Sequence, residues 1–301
     1  MPWMLEKRNF DGPRKLKELL KRDSILKMPG AHNALVGMLA KKIGFEALYV
    51  SGAAFSASKG LPDLGYYTVT ELSDYVHNLY SATGLPILVD VDTGFGEVLN
   101  LARTVKEMED AGAAAIQMED QLLPKKCGHL DGKRLVSAED MCRKIEAAVK
   151  VRKNLLIMAR TDAHSLHGID EAIRRAKMYV EAGADMIFPE ALKTEEDFKQ
   201  FAQEVKVPLL ANMTEFGKTP YWPASQFEQW GYKIIIYPVT SLRIAMKAVE
   251  KVFREIYETG SQEKLVSEMQ TRKELYELLD YYGYEEFDKT VAESKHQDFN
   301  K

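Results

Sequence analysis

Eight short runs of apolar and β-branched residues, separated by helical patterns, constrain the fold of this 301-residue chain more than any other feature. The runs are Ile25–Ala31, Ala47–Gly52, Ile87–Asp92, Ala114–Asp120, Leu155–Thr161, Met186–Glu190, Leu209–Met213 and Ile234–Val239. They are too uniformly apolar for half-solvated strands, so they read as strands buried on both faces, as in a parallel sheet. Between them lie amphipathic stretches, Glu71–Thr83, Val98–Ala111, Ala138–Val151, Asp170–Ala182 and Glu195–Glu204, several closed by a glycine such as Gly84, Gly112 or Gly183. Eight β-α repeats predict an α/β fold of the (β/α)8 TIM-barrel type. A doubly wound open sheet is the alternative, but no GxGxxG follows an early strand to support dinucleotide binding.

The length suits one barrel domain over 1–301, with the barrel at about 25–260 and a C-terminal helical extension over 261–301. Ser241–Thr259, the run Gln262–Leu279 and Tyr281-Tyr282-Gly283-Tyr284 supply more helix than a barrel needs. Such tyrosine-rich terminal helices are expected to cover the barrel end or another subunit. Ala292–Lys301 is polar and expected to fray.

A formal net charge of −4 leaves no basic excess for a phosphate backbone, which argues against a nucleic-acid partner. No apolar run reaches the ~18 residues of a membrane span, and Met1–Arg8 has no apolar signal core. A cytoplasmic protein is expected. Cys127 and Cys142 have no CxxC spacing and suggest neither a disulfide framework nor a structural zinc site.

Polar groups gather at the predicted strand ends: Ser51, Asp90, Asp92, Glu119, Arg160, Asp162, Glu190, Asn212 and Thr214. In a parallel barrel those ends share one rim, where the active sites of this fold lie. Asp90 and Asp92 are spaced so that both carboxylates would leave a strand on one side and share a cation. A magnesium-like ion keeps waters and takes one or two carboxylates, and Glu119 on the next strand would hold such a water. Arg160, Arg243 and Arg272 suit paired recognition of carboxylates, although Thr271-Arg272-Lys273 reads equally as an exposed helical face.

Lys125-Lys126-Cys127-Gly128-His129 sets a cysteine among cations and a glycine, which is expected to draw the thiol pKa down toward neutrality. Buried cysteine as plain filler is the competing view. Ser56-Ala57-Ser58-Lys59 matches S-x-x-K without its acyl-transfer companions, and His164-Ser165-Leu166-His167 reads as a loop with ordinary polar contacts. Cys142 reads as helix packing.

Taken together, Tyr49-Val50-Ser51-Gly52, Leu61-Pro62-Asp63-Leu64-Gly65, Asp90–Gly96, Glu119-Asp120-Gln121, Lys125–His129, Met158–Asp162, Phe188-Pro189-Glu190, Asn212–Glu215 and Gln270-Thr271-Arg272 resemble the isocitrate lyase and phosphoenolpyruvate mutase superfamily. The Lys-Cys-Gly-His signature resembles its C–C lyases. The compact length is similar to the branch that cleaves 2-methylisocitrate to pyruvate and succinate in the methylcitrate cycle of propionate degradation. An isocitrate lyase releasing glyoxylate and succinate is the near alternative, and a catalytically silent metabolite-binding protein the alternative of another class.

The resemblance implies Mg2+, with Mn2+ in its place as the other option, on Asp90, Asp92 and, through water, Glu119. It implies Cys127 as the proton donor and Tyr49 as the base. Substrate contacts would fall on Ser51, Gly52, Ala53, Cys127, Gly128, His129, Arg160, Glu190, Asn212, Thr214, Arg243 and Arg272. It also implies a homotetramer, a dimer of helix-swapped dimers, acting on a small tricarboxylate. Ala53 stands where the family often has glycine, and Lys126 where many members carry arginine. The cysteine loop is expected to close over substrate, and Phe188 and Ile236 to hold the extra methyl.

Overall fold

The computed structural model describes residues 2–6 and 11–292. Eight strands form in the predicted order: β1 (Leu26–Pro29), β2 (Leu48–Val50), β3 (Ile87–Asp90), β4 (Ala115–Glu119), β5 (Leu156–Thr161), β6 (Met186–Pro189), β7 (Leu210–Asn212) and β8 (Ile234–Tyr237). All pair in parallel, β2 through β6 in one ladder and β1, β8 and β7 in another. Single parallel bridges, Gly30 to Tyr49 and Ile187 to Leu209, join the two ladders at both seams and close the barrel.

Period-two packing explains the unbroken apolar runs. Leu156, Met158, Met186, Phe188, Leu210, Ile234 and Ile236 fill the barrel interior, whereas Ile157, Ala159, Ile187, Ala211 and Ile235 belong to the outer core with the helices. Both faces are dry, so neither alternates with polar residues. A helix that the sequence reading missed, Gly12–Leu20, sends Leu16 and Leu19 into the interior cluster together with Ala47 and Ala114, which directly precede β2 and β4. It begins with Pro13 in its first turn, where the missing N–H costs nothing.

Val98–Ala111, Ala138–Val151 and Glu195–Glu204 are helical over the predicted residues, and Val69–Thr83 starts two residues before the predicted helix. Gly84 and Gly112 cap their helices in the left-handed region. Thr68 with Glu71 and Thr194 with Asp197 form capping boxes. One helix runs from His164 to Glu181 with a kink at Gly168, so His164 and His167 lie on a helix rather than in the expected loop. Polar contact was foreseen there, and His164 Nε2 lies 3.3 Å from Asp197 Oδ2. Cys142 sits half-buried on the helix Ala138–Val151, packed against the outer core as expected.

Among the described residues, 11–245 make one compact unit, and 246–292 with 2–6 make another. In the second unit the stretch Gln262–Leu279 is not one helix. A 3-10 turn, Glu263–Glu268, is followed by a break, and a new helix, Arg272–Leu279, starts at a Thr271–Glu274 capping box. Thr271 Oγ1 accepts from the Glu274 backbone N–H at the new N-terminus, which is the signal the apolar periodicity concealed. Tyr276 and Tyr281 stack with ring centroids 4.3 Å apart. Most of the tail expected to fray lies outside the described residues. No described helix is long and apolar enough to cross a membrane.

Candidate active site

The barrel rim gathers most of the anticipated residues around one small cavity of about 60 Å³. Its lining includes Tyr49, Ser51, Ala53, Asp90, Cys127, Gly128, His129, Arg160, Glu190, Asn212 and Thr214, with Phe188 and Ile236 among its apolar walls. Gly52, Asp92 and Glu119 sit directly behind. Gly52 N donates to Asp90 Oδ2 at 3.2 Å, and Glu119 Oε2 lies 3.3 Å from Arg160 Nη1.

The acidic pair is built differently from the expectation. β3 ends at Asp90, and Asp92 lies in the following turn at φ +49°, so the two carboxylates are not strand neighbours on one face. Gly94 follows at φ +93°, a region that favours glycine, and the turn reverses the chain into the helix at Val98. Asp92 N donates to Asp90 Oδ1 at 3.1 Å, which keeps the two side by side. Burial, reinforced by Asp92, pushes the Asp90 carboxyl up to about 6.

Carboxylates dominate the site. Asp63, Asp90, Asp92, Glu119, Asp162 and Glu190 outnumber the cations Lys125, Lys133 and Arg160. Asp92 Oδ2 and Glu119 Oε1 are buried and make no hydrogen bond among the described residues. Leaving such oxygens bare is costly unless a cation serves them. Among the described residues no three His, Cys, Asp or Glu side chains converge tightly enough to cage an ion unaided. The donor set therefore suits a hard divalent cation that keeps water and ligand oxygens in most of its positions.

Arg160 is the central cation. Its Nε and Nη2 donate to Asp162 at 2.9 and 3.1 Å, and Nη1 lies 3.3 Å from both Glu119 Oε2 and Glu190 Oε2. Burial opposes its charge, but the Asp162, Glu119 and Glu190 carboxylates together hold it well above the usual arginine range. The ring of Phe188 lies beneath the guanidinium at 5.2 Å.

The cysteine loop is folded down over this arginine. Leu122 N donates to Arg134 O and Val136 N to Asp120 O, so the loop base is stapled like a hairpin. His129 Nδ1 accepts from Lys218 N at 2.9 Å, which places the ring proton on Nε2, 3.2 Å from Glu190 Oε1. The cations beside Cys127 turn away from it. Lys125 pairs with Asp92 at 2.6 Å and with Asp63, and Lys126 reaches Asp131 O at 3.4 Å. Burial consequently pushes the Cys127 thiol up, against a small opposing pull from the His129 N–H. The expected lowering of its pKa is overturned, and the sulfur is a thiol, a proton carrier rather than a standing nucleophile.

Tyr49 is also held neutral. Its hydroxyl donates to Gln117 Oε1 at 2.6 Å, Gln117 Nε2 donates to Asp90 Oδ1 at 3.2 Å, and burial with Asp90 raises the phenol well above its usual range. Ionising it requires positive charge close by.

Ser51 caps the helix Gly52–Ser58, accepting from Ala54 N, so its side chain is turned partly to a structural task. Asn212 Nδ2 lies 3.5 Å from Glu190 Oε2. Arg243 does not line the cavity. Its Nε lies 3.5 Å from Glu215 Oε2 and its guanidinium stacks over Phe216 at 5.3 Å. Arg272 falls in the other compact unit, at the first position of the helix Arg272–Leu279. Ser56 and Lys59 form no pair, since Ser56 Oγ is buried without a partner and Lys59 reaches Glu71 at 3.0 Å.

Sequence reasoning missed Asp63, Gln117, Lys133 and the role of Asp162. Asp63 stood inside a quoted motif and Asp162 at a strand end, but nothing local marks Lys133 or Gln117.

Gly128 matters through close approach. A methyl there would overlap the Glu190 side chain and lie 2.5 Å from Arg160 Nη2. Gly128→Ala is expected to hold the loop off the site and reduce turnover by about 10²-fold, because a misplacement near 1 Å has that effect. The barrel should melt unchanged. Steady-state rates beside a thermal melt check this, and wild-type turnover in the variant would contradict it.

With the geometry in place, comparison with known proteins decides the family. Residues 16–257 match the family model described as phosphoenolpyruvate phosphomutase. A 2-methylisocitrate lyase of Bacillus subtilis (strain 168) is 52% identical over 296 residues, covering 98% of this chain and 98% of that one. The chain belongs to the 2-methylisocitrate lyase family.

Solved structures agree with this placement in the lyase family. A 2,3-dimethylmalate lyase, described as a PEP mutase/isocitrate lyase superfamily member, superposes with a TM-score of 0.86 at 33% identity over 96% of this chain and 97% of its own. A phosphonopyruvate hydrolase complexed with oxalate and Mg++ superposes at 0.83, with 30% identity over 94% and 98%. The TIM-barrel fold of the lyase family is thus the fold of this chain.

Proposed function

We propose that this protein cleaves 2-methylisocitrate to pyruvate and succinate. The observation that carries the reading is a half-buried, protonated Cys127 thiol lining the same small cavity as Arg160 and the Asp90 carboxylate. A divalent cation, Mg2+ or Mn2+, held by Asp90, Asp92 and through water by Glu119, would polarise the substrate hydroxyl and its neighbouring carboxylate. The phosphonopyruvate hydrolase complex described above, with its oxalate and Mg++, supports that assignment.

Tyr49, as the phenolate that the positive charge of a bound cation would favour, takes the hydroxyl proton as the carbon–carbon bond breaks and the ketone of pyruvate forms. The electron pair of that bond passes to the departing carbon and spreads onto its carboxylate. Arg160 faces that growing charge, and its rigid fork suits a carboxylate in two contacts. Cys127 gives its S–H proton to the carbon, which completes succinate. The thiolate and the Tyr49 phenol then exchange their proton difference through solvent. Ser51, Gly52, Ala53, Gly128, His129, Glu190, Asn212 and Thr214 are the proposed contacts for the rest of the substrate.

Phe188 and Ile236 line the cavity and would contact the extra methyl. A group of that size is worth about 1–3 kcal/mol in discrimination, so measurable cleavage of isocitrate is expected beside the main reaction. The methylcitrate cycle of propionate degradation is the fitting setting. Exposed Phe253 and Tyr257 on the helix Thr240–Thr259 support a homotetramer of helix-swapped dimers.

Because Asp90 is pushed up to about 6, a proton competes with the cation there at lower pH. Cation affinity should rise as pH rises through that value and level off above it. Calorimetric titration with Mg2+ below and above the transition tests this; an unchanged affinity would remove Asp90 from the ligand set.

The reading as a whole is tested by supplying 2-methylisocitrate and isocitrate separately, with a chelator control. Pyruvate released faster than glyoxylate, and suppressed by the chelator, supports it. A preference for glyoxylate would make the protein an isocitrate lyase.

A further inference from the structure

Lys133 is a cation of the site whose charge no catalytic step uses, and its side chain is more deeply buried than that of Arg160. Its side chain is 1% exposed, its Nζ lies 3.0 Å from Asp162 Oδ1, and it also donates to the Gly128 carbonyl. Asp162 is itself 0% exposed and chelates Arg160 through both oxygens, while its own backbone N–H donates to Asp120 Oδ1 at 2.9 Å. Asp120 in turn accepts from Thr161 Oγ1 and the Tyr179 hydroxyl, each at 2.8 Å. The barrel therefore holds Asp162 rigidly, and among the described residues Lys133 links that anchor to the backbone beside the thiol.

Burying an ammonium is expensive, and a lysine in a surface loop ordinarily turns its charge to water. Here it turns inward. It lies five positions after Gly128, so one side chain folds the loop back on itself and fastens both ends to the group that orients Arg160. Other contacts of the loop reach different elements. His129 meets Glu190 and Lys218, and Lys125 meets Asp63 and Asp92. His129 reaches the guanidinium by way of Glu190, but none of these contacts touches Asp162, which accepts from it through both oxygens.

We propose that Lys133 is a positioning residue for the reaction, a buried ammonium that locks the Gly128 carbonyl to Asp162 and so fixes the Cys127 thiol relative to Arg160. This rests on the assignment of Cys127 as proton donor. Thiol and guanidinium must act on the same carbon framework within one bond-breaking event, and their separation is set through Asp162 rather than by loop packing alone. Without the lock the loop still folds, since the Leu122–Arg134 and Val136–Asp120 backbone bonds staple its base, but its tip opens more often.

The test uses the full chain and Lys133→Met, which keeps the length of the stem and removes the charge. Two readouts are followed: alkylation of Cys127 by iodoacetamide without substrate, and steady-state cleavage of 2-methylisocitrate with Mg2+. Alkylation about tenfold faster is expected as the tip opens. A loss of about 10²-fold in kcat with a smaller change in KM is expected from the misplaced donor. Lys133→Arg, which keeps the charge on a longer fork, should recover part of both, and Lys133→Gln carries the test if the methionine variant does not fold.

Alkylation and kcat both at wild-type values in the folded Lys133→Met or Lys133→Gln variant would overturn the proposal. So would a loss of melting temperature with alkylation unchanged, which is the mark of a purely structural lysine. Alkylation needs no substrate, so an inactive wild-type protein would count against the lyase reading while the loop result still judges Lys133.

Discussion

Cys127→Ser is expected to lower turnover of 2-methylisocitrate by about 10²–10⁴-fold, the usual contribution of a placed general acid. The argument rests on proton affinity. Burial keeps the thiol protonated at neutral pH, yet a thiol remains far more acidic than an aliphatic hydroxyl, so serine occupies the place without the chemistry. Divalent-cation binding should survive, because Asp90, Asp92 and Glu119 are untouched. Since the thiol is pushed up, the alkaline limb of kcat should lie above the ordinary thiol range, and it should vanish in the variant. Rapid-quench kinetics with calorimetry on the same preparation checks all three points. Undiminished turnover would remove Cys127 from the mechanism.

Arg160→Leu should be the most damaging change in the barrel. The guanidinium touches Asp162, Glu119 and Glu190 inside a dry site, and removing it strands carboxylates that burial already penalises. Breaking one buried pair in this way typically costs about 3–5 kcal/mol, against a total stability of about 5–15 kcal/mol for a domain. A large drop in melting temperature is therefore expected even without substrate. Turnover should fall by about 10²–10³-fold or more, the effect of losing one donor aimed at developing charge. Arg160→Lys keeps the charge but loses the fork, and should recover stability better than rate. Equal melting temperatures for the wild type and the leucine variant would contradict the ion network.

The barrel was readable because its strands are dry on both faces. Leu156–Met158 or Ile234–Ile236 carry the same message whichever way they face, and the positions of polar strand ends then follow from parallel topology. Asp90 and Arg160 were legible for that reason. Asp92 was misplaced because strand periodicity was carried two residues too far, into a turn set by Asp92 and Gly94 at positive φ.

The thiol pKa was misjudged for a different reason. Sequence neighbours are not spatial neighbours, and Lys125 spends its charge on Asp63, which is 62 residues away, and on Asp92. Lys133 left no trace in the sequence, because a buried ammonium is specified by partners brought from β5 and by the loop's own fold. Arg243 met the expectation of composition but found Glu215 first. Apolar periodicity likewise hid the Thr271 cap, since the residues before and after the break are equally helix-compatible.

The central claim is that bond cleavage in this cavity ends with protonation of carbon by Cys127. Cleavage of 2-methylisocitrate in D2O tests it most directly, with NMR counting the label in the products and a chiral derivative of the succinate reporting its face. Equal amounts of pyruvate and succinate, with a single deuteron in a succinate methylene delivered to one face only, is the predicted result. Absence of cleavage, or succinate labelled without facial preference, would contradict it.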